Sequence, residues 1–287
     1  MSRALREEPR ILHVGSAKDS ISLDFTNGDF LSVLGPCAIE SEEQVRAVCK
    51  FLQSQGVKLM RAGAMKPRTS AYSFRGLGID GLRMCSVIAK EFGIHLVSEV
   101  LSTSQIQEMI PYVDVFQVGT RNCQNYSLLH ELGRCNKPVI LKRGFACTLK
   151  EYVHSAEHLF VSGNEDIVLC ERGIRTFETA YRNTLDLNAV QYLKQQTHLP
   201  VIVDPSHGTG KSNMVKDMSL AAIMAGADGL LVEIHPEPAK ALSDGKQSLD
   251  FSEAKFFLDS VTKTVQFRNS LSNSPSELQD PASIKDQ

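Results

Sequence analysis

The chain has 287 residues, with 31 basic and 33 acidic side chains and a formal net charge of −2. A near-neutral chain of this length can bury one large core but has no general attraction for a polyanion, so we expect no nucleic-acid partner. Its seven scattered cysteines and its lack of a long apolar run predict a cytoplasmic protein without a disulfide framework and without membrane contact.

The first predicted element is a β-hairpin. The segment "SISLDFTNGDFL" alternates apolar and polar residues around Asn27 and Gly28, and Asn-Gly is a strong signal for a two-residue hairpin turn. We therefore predict that residues 1–29 form an N-terminal extension whose short hairpin covers the N-terminal mouth of the next domain.

Eight short apolar runs follow, separated by helix-like segments that include candidate caps at Ser41 and Thr148. The runs are FLSVLGPC (30–37), KLMRAGA (58–64), HLVSEV (95–100), VFQVGT (115–120), PVILKRG (138–144), IVLCERG (167–173), PVIVDPSH (200–207) and GLLVEIHP (229–236). Eight strands alternating with helices predict an α/β fold, a (β/α)8 TIM barrel over residues 30–268. An open doubly wound sheet is the alternative. The Ser- and Pro-rich composition of residues 269–287 predicts a disordered C-terminal tail.

Two short motif matches lack the context that their functions need. GTGKS, which ends at Ser212, resembles the end of a phosphate-binding loop, but Pro205 occupies the position of the leading glycine and has no N–H to offer a phosphate. HSAEH, from His154 to His158, fits a zinc-peptidase pattern but falls in a predicted outer helix without a third ligand. Neither match supports a function.

Polar and ionisable residues occur at the end of every predicted strand, where (β/α)8 enzymes carry their chemistry. Taken singly, each could be a solvated or core residue. Together, several cations would converge on one mouth and repel one another unless an anion lies among them. We therefore expect this mouth to bind small anions such as phosphates or carboxylates. The residues concerned are Cys37, Arg61 with Lys66 and Arg68, Glu99, Arg121, Lys142, Arg172, Asp204 with His207, and Glu233.

Seven motifs in order resemble one enzyme family, the metal-dependent 3-deoxy-D-arabino-heptulosonate 7-phosphate (DAHP) synthases of type I beta. The resemblance covers about residues 30–262. The motifs are GPCAIES (35–41), RAGAMKPRTSAYSFRGLG (61–78), QVGTRNCQN (117–125), LKRG (141–144), LCERGIRTFE (169–178), DPSHGTG (204–210) and VEIHPEPAKALSDGKQ (232–247).

The resemblance implies a divalent-metal site made of Cys37, His207, Glu233 and Asp244. A thiolate, an imidazole and two carboxylates form a mixed soft and hard set, which suits Mn, Fe, Co or Zn better than Ca or Mg. We expect Mn first among these.

It also implies two anionic substrates, phosphoenolpyruvate and erythrose 4-phosphate. By motif, Arg121, Lys142 and Arg172 match the positions that hold the phosphate of phosphoenolpyruvate, and Arg61, Lys66 and Lys142 surround its carboxylate. Arg68 and Thr69 match the site for the aldose phosphate. The related 3-deoxy-octulosonate 8-phosphate synthases have "KANRSS" in place of "KPRTS", so their activity is the alternative.

The implied reaction is a condensation that releases inorganic phosphate, the first step of the shikimate pathway. Lys66 is the candidate proton donor, Glu99 a candidate for orienting water, and Asp204 a support for His207 or for the water. Glu99 could instead pair with Arg61 or Lys142.

The family further implies a homo-oligomer, a dimer or tetramer. The roughly thirty residues ahead of Gly35 are too few for a regulatory domain, so we expect inhibition by aromatic amino acids only through a separate partner such as a chorismate mutase.

Overall fold

The structure is a computed structural model and describes residues 11–15, 19–66, 72 and 74–272. Ten strands are present in this part of the chain. They are β1 (Ile11–Val14), β2 (Ile21–Asp24), β3 (Leu31–Gly35), β4 (Leu59–Arg61), β5 (His95–Val100), β6 (Val115–Val118), β7 (Val139–Lys142), β8 (Ile167–Glu171), β9 (Val201–Val203) and β10 (Gly229–Glu233).

Strands β3 to β10 close into a parallel barrel in which each pairs with its sequence neighbours. Closure comes from β10 and β3, whose register places Glu233 opposite Gly35. All eight strands fall inside the apolar runs identified in the sequence. The predicted (β/α)8 barrel is therefore confirmed, and the open-sheet alternative is wrong.

Helices cover the outside of the barrel. Ser41 accepts a hydrogen bond from the backbone N–H of Gln44 and caps the first helix, while Thr148 and Glu151 form a reciprocal capping box on the fifth. None of the helices in the described ranges is long and apolar enough to cross a membrane. The helices are α1 (Glu42–Ser54), α2 (Gly78–Glu91), α3 (Thr103–Met109), α4 (Tyr126–Gly133), α5 (Leu149–Val161), α6 (Leu187–Gln196), α7 (Pro205–Thr209), α8 (Ser212–Met224) and α9 (Phe251–Ser272).

The N-terminal hairpin exists, but its predicted position is wrong. Strands β1 and β2 pair antiparallel with Val14 opposite Ile21, so the connection precedes β2 and does not involve Asn27. The Asp24 side chain instead accepts hydrogen bonds from the backbone N–H of Thr26 at 3.0 Å and from the Asn27 amide at 2.7 Å. These bonds make residues 24–29 a turn that leads into β3.

The hairpin closes the N-terminal mouth of the barrel, as expected. Leu12 and Val14 belong to the same buried cluster as the side chains that fill the barrel interior. Burial of apolar surface between the hairpin and the barrel stabilises this end. The interior cluster is completed by Leu31, Val33, Leu59, Val97, Val115, Ile140, Val168, Cys170, Ile202 and Leu231.

The last helix continues past the predicted barrel boundary at residue 268. Helix α9 ends at Ser272, and Arg268 donates a hydrogen bond to the carbonyl of Ala227 at 2.6 Å. The Asn269 amide donates to the carbonyl of Gly28 at 3.4 Å. These contacts attach the end of α9 to the barrel, so the boundary moves to Ser272. Residues 273–287, predicted to be disordered, lie outside the described residues.

Candidate active site

The pleat of the strands brings the predicted polar residues to one mouth of the barrel. Side chains two residues apart point to the same face of a strand, and Leu59, Ile140 and Leu231 fill the barrel interior. Two residues after each of these lies a polar side chain, which therefore points into the same interior, one layer nearer the C-terminal end of the barrel. These side chains are Arg61, Lys142 and Glu233. Val97 with Glu99 and Ile202 with Asp204 repeat this relation.

Cys37 lies at the centre of this mouth, two residues after β3. Its side chain is buried, and its Sγ atom lies 2.9 Å from the hydroxyl of Ser243 and 3.3 Å from Oδ2 of Asp244. Gly63 permits this packing, since a Cβ atom there would lie 2.1 Å from the Cys37 carbonyl oxygen. Burial raises the pKa of the Cys37 thiol to about 11.

His207 faces the two carboxylates predicted to accompany it. Its Nε2 atom lies 3.4 Å from Oε1 of Glu233 and 3.9 Å from Oδ2 of Asp244. On the other side of the ring, Nδ1 lies 2.8 Å from Oδ2 of Asp204. Asp204 thus orients the imidazole from behind, and it also accepts the backbone N–H of His207 at 2.9 Å. Burial lowers the pKa of His207 to about 4.

Asp244 reaches the site through an unusual backbone conformation. Its φ of 53° is the only left-handed value of a non-glycine residue in the described ranges. Asp tolerates this conformation better than most residues, at a cost of roughly 1 kcal/mol or more. The conformation holds the carboxylate against Cys37, and Arg182 contacts the same oxygen at 3.3 Å.

These four side chains fit a divalent transition metal. Ligand atoms of Cys37, Glu233 and Asp244 lie within 4.8 Å of one another, and the His207 imidazole adjoins both carboxylates. Oε1 of Glu233 is buried, 2.7 Å from Nη1 of Arg61 and 3.4 Å from Nε2 of His207, and it makes an aligned hydrogen bond to neither. A buried carboxylate oxygen that lies close to a thiol and an imidazole is a chemically suitable ligand.

Two of the predicted cations are paired with buried carboxylates. Arg61 contacts Oε1 of Glu233 at 2.7 Å, and the Lys142 ammonium contacts Oδ2 of Asp204 at 2.5 Å. Burial alone would raise the pKa of Asp204, but the charges of His207 and Lys142 hold it well below its ordinary value. The predicted repulsion among the cations is therefore offset at Arg61 and Lys142 by these two carboxylates.

Arg121 and Arg172 follow β6 and β8, the two strands that flank β7 and its Lys142 in the barrel. Arg172 follows β8 and is buried, whereas Arg121 belongs to a short 3-10 helix after β6 and is exposed. Burial lowers the pKa of Arg172. In the described part of the chain, neither guanidinium contacts a carboxylate within 4 Å.

The remaining predicted site residues occupy different positions. The Lys66 ammonium would lie 3.1 Å from a Cβ atom at Gly63, close to Cys37. The Glu99 carboxylate packs on Gly119, where a Cβ atom would lie 1.9 Å from Oε1 of Glu99. Glu99 makes no ion pair within 4 Å among the described residues, Arg61 and Lys142 included. Arg68 and Thr69 lie outside the described residues.

Several residues that touch this site were not singled out from the sequence. Gln247 donates a hydrogen bond to Oε2 of Glu233 at 2.6 Å, and Arg182 donates to Gln247 at 2.8 Å. Arg143 holds the buried Glu171 at 2.9 Å, and Glu171 accepts the backbone N–H of Gly173 at 2.6 Å. Arg143 and Gln247 lie within the family motifs, but neither spacing nor residue type distinguishes them from ordinary loop residues.

Comparison with known proteins gives one family. The family model described as the DAHP synthetase I family matches residues 20–270. The chain is similar to the phospho-2-dehydro-3-deoxyheptonate aldolase of Thermotoga maritima, with 47% identity over 263 residues, 92% of this chain and 76% of that protein. It is less similar to the 2-dehydro-3-deoxyphosphooctonate aldolase of Francisella philomiragia, with 31% identity covering 80% of this chain and 89% of that protein.

Solved structures agree with these relatives. The crystal structure of phospho-2-dehydro-3-deoxyheptonate aldolase (DAHP synthase) from Thermotoga maritima superposes with a TM-score of 0.86 at 45% identity and covers 94% of this chain and 76% of that one. A truncated form of 3-deoxy-D-arabino-heptulosonate 7-phosphate synthase from the same organism gives a TM-score of 0.82 at 42% identity, covering 94% of this chain and 96% of that one.

Proposed function

The chain belongs to the DAHP synthetase I family, and on that premise we propose that it condenses phosphoenolpyruvate with erythrose 4-phosphate and releases inorganic phosphate. The observation that carries the proposal is that Cys37, His207, Glu233 and Asp244 converge at the C-terminal mouth of the barrel, where arginine and lysine side chains also lie. Both proposed substrates are anions, and one carries an aldehyde that a metal can polarise.

The choice between the two sibling activities rests on similarity. Identity is 47% to the heptonate enzyme and 31% to the octonate enzyme, which favours a four-carbon aldose phosphate over arabinose 5-phosphate. The motif KPRTS supports the same choice, with Arg68 and Thr69 as the proposed contacts of the aldose phosphate. Octulosonate 8-phosphate synthesis remains the alternative.

Cys37, His207, Glu233 and Asp244 are the proposed metal ligands. A bound divalent ion would supply a Lewis acid that polarises the aldehyde oxygen of the aldose. Asp204 keeps His207 in position, because it receives the Nδ1 side of the ring and leaves Nε2 facing Glu233 and Asp244. Gln247 holds the second oxygen of Glu233, which fixes the carboxylate plane.

The cations would hold phosphoenolpyruvate so that its C3 atom faces the aldehyde carbon. Arg61, Lys66 and Lys142 are proposed at the carboxylate, and Arg121, Lys142 and Arg172 at the phosphate, where guanidinium groups allow paired hydrogen bonds. C3 attacks the aldehyde carbon, water adds at C2, and phosphate leaves by cleavage of the C2–O bond. Lys66 would protonate the new hydroxyl oxygen, and Glu99 would orient the water.

A paired-substrate assay tests this function. Phosphate release from phosphoenolpyruvate is measured with erythrose 4-phosphate and, separately, with arabinose 5-phosphate, before and after EDTA treatment and after addition of Mn²⁺. We expect turnover with erythrose 4-phosphate that EDTA abolishes and Mn²⁺ restores. No turnover with either aldose would refute the enzyme assignment, and turnover with arabinose 5-phosphate alone would select the alternative.

Matched variants connect this activity to the site. Glu233→Gln should abolish turnover, because it removes a proposed ligand charge and the partner of Arg61. Glu237→Gln is the control, since Glu237 is exposed and pairs only with Lys240 among the described residues. Equal losses in the two variants would mean that the effect is not specific to the cluster.

Manganese is the proposed physiological metal, with Fe, Co and Zn as alternatives for the same ligand set. We also propose a cytoplasmic homo-oligomer, a dimer or tetramer, and regulation by a separate partner such as a chorismate mutase. Light scattering of the purified protein tests the oligomeric state, and co-purification tests the binding of a regulatory partner.

A further inference from the structure

Three arginines surround the ring of Phe145, in the loop after β7. The guanidinium carbons of Arg172, Arg175 and Arg121 lie 4.9, 5.0 and 5.6 Å from the ring centroid. The three arginines come from two different loops, since Arg121 follows β6 whereas Arg172 and Arg175 follow β8. One partly buried aromatic ring therefore gathers three positive charges at the mouth of the barrel.

No carboxylate among the described residues neutralises these guanidinium groups. In the described ranges none of the three has a carboxylate within 4 Å, and the Arg172 side chain makes only a weak hydrogen bond, at 3.4 Å, to the carbonyl of Gly173. Arg143, in the same region, contrasts with them because Glu171 and Asp186 contact it at 2.9 and 3.0 Å. Within the part of the chain that the structure describes, one arginine here is thus paired with carboxylates and three are not.

An aromatic ring suits such a position for a physical reason. Its negative face attracts a cation with a free energy of about 0.5–2 kcal/mol. Unlike a carboxylate, it does not accept the strong guanidinium hydrogen bonds, so the N–H groups stay available to an incoming anion. A carboxylate at the same place would compete with that anion and would have to be displaced.

The backbone holds Arg175 at the ring. Its N–H donates to the carbonyl of Phe145 at 2.8 Å, so one residue supplies both the ring and a backbone anchor. The start of the loop is fixed by reciprocal backbone hydrogen bonds between Ile174 and Thr184, each 2.9 Å long. The backbone therefore keeps the exposed Arg175 side chain beside the ring that Arg121 and Arg172 also contact.

We propose that Phe145 is a positioning residue that arranges Arg121, Arg172 and Arg175 around one phosphoryl group, with Arg175 as a third arginine ligand of the phosphate of phosphoenolpyruvate. The identity of the substrate rests on the proposed function. The grouping of three guanidinium groups on one ring, with no carboxylate within 4 Å among the described residues, is independent of that proposal.

The test compares Phe145→Leu with the wild-type chain. Binding of inorganic phosphate is measured by isothermal titration calorimetry, and KM for each substrate is measured where turnover is found. Leucine keeps an apolar side chain but has no ring quadrupole, so we expect phosphate to bind roughly five- to tenfold more weakly. KM for phosphoenolpyruvate should rise by a similar factor, whereas KM for the aldose phosphate should stay unchanged. Phe145→Tyr keeps the aromatic ring, so its phosphate affinity and its KM for phosphoenolpyruvate should stay close to those of the wild-type chain.

Phe256→Leu is the matched control. The Lys216 ammonium lies 5.2 Å from the Phe256 ring, on the exposed face of α9, so this variant removes a similar contact away from the mouth. It should leave phosphate binding unchanged. If Phe145→Leu is folded by circular dichroism and binds phosphate as tightly as the wild-type chain, the positioning role is overturned.

Arg175→Gln tests the third ligand and avoids any folding problem, because Arg175 is exposed. We expect weaker phosphate binding and a higher KM for phosphoenolpyruvate, with partial rescue in Arg175→Lys. A rise in KM for the aldose alone, or no change in phosphate affinity, overturns the assignment. If the wild-type chain binds phosphate but turns over neither aldose, the proposed function fails, and phosphate titration of the variants still decides this proposal.

Discussion

Metal binding by the ion-free chain should strengthen steeply as the pH rises, because Cys37 must lose a proton to become a ligand. Burial raises the pKa of this thiol to about 11, so the thiol is protonated at neutral pH. Burial lowers the pKa of His207 to about 4, so the imidazole is already neutral and needs to release nothing. The thiol is then the one proposed ligand that gives up a proton.

The magnitude follows from the proton count. Burial alone would raise the pKa of Glu233, but the charges of His207 and Arg61 hold it below its ordinary value, and Arg182 and His207 do the same for Asp244. With one proton released per ion, affinity increases about tenfold per pH unit, or about 100-fold between pH 6 and pH 8. The dependence has one sign throughout, because this range lies below the pKa of the thiol.

Calorimetric titration with Mn²⁺ measures this count directly. Titrations at one pH in buffers of different ionisation enthalpy give the number of protons released, which should be close to one. Cys37→Ser should bind the ion much more weakly and without this proton release, whereas Cys135→Ser, at a partly exposed cysteine on another loop, should behave as wild type. Release of no proton by the wild-type chain would refute the reasoning, because Cys37 would then either be a thiolate already or not be a ligand.

Three further substitutions test the surroundings of the site. Asp204→Asn should lower the free energy of unfolding by about 3 kcal/mol in urea titrations, because it leaves the buried Lys142 ammonium without a carboxylate; an unchanged midpoint would contradict the ion pair. Tyr152→Phe should cost about 1–3 kcal/mol in thermal unfolding, since the buried hydroxyl bonds to backbone atoms of β7 and β8; full stability would show that those groups find other partners. Asp244→Asn should weaken metal binding strongly yet change stability in EDTA by less than about 1 kcal/mol, because Asn also tolerates the left-handed conformation, and an unaltered Mn²⁺ affinity would remove Asp244 from the ligand set.

The barrel was predictable because its signals are local and repeated. Parallel strands covered on both faces appear as short apolar runs, and each run from FLSVLGPC to GLLVEIHP contains one strand. The hairpin was only partly predictable. Asn27 and Gly28 do form a turn, but Asp24 binds that turn through its side chain, and the strand partner of β2 lies upstream. Which of two neighbouring segments pairs with a strand depends on tertiary packing, which the pattern does not contain.

Some residues of the site could likewise be placed from the sequence, and others could not. Arg61, Lys142 and Glu233 could be placed from the strand period alone, since each follows an interior apolar residue by two positions. Asp244 could not, because a loop residue reaches Cys37 only through a left-handed backbone conformation. Phe145 was missed for another reason: an aromatic residue in a loop has no distinctive spacing, and its role emerges only when loops from two other strands meet it.

Charge pairing was the property that sequence could least reveal, and it divides the cations of the mouth into two groups. Arg61 and Lys142 contact Glu233 and Asp204, so these cations help to fix the carboxylates around the proposed metal ligands. The guanidinium groups that gather on Phe145 have no carboxylate within 4 Å among the described residues. A phosphoryl group that binds these arginines displaces no carboxylate of the described residues, whereas an anion that binds Arg61 or Lys142 must share a cation that is already paired. We therefore expect the phosphate of phosphoenolpyruvate to contribute more binding free energy than its carboxylate, which comparison of inorganic phosphate with pyruvate as competing ligands would measure; tighter binding of pyruvate would contradict this division.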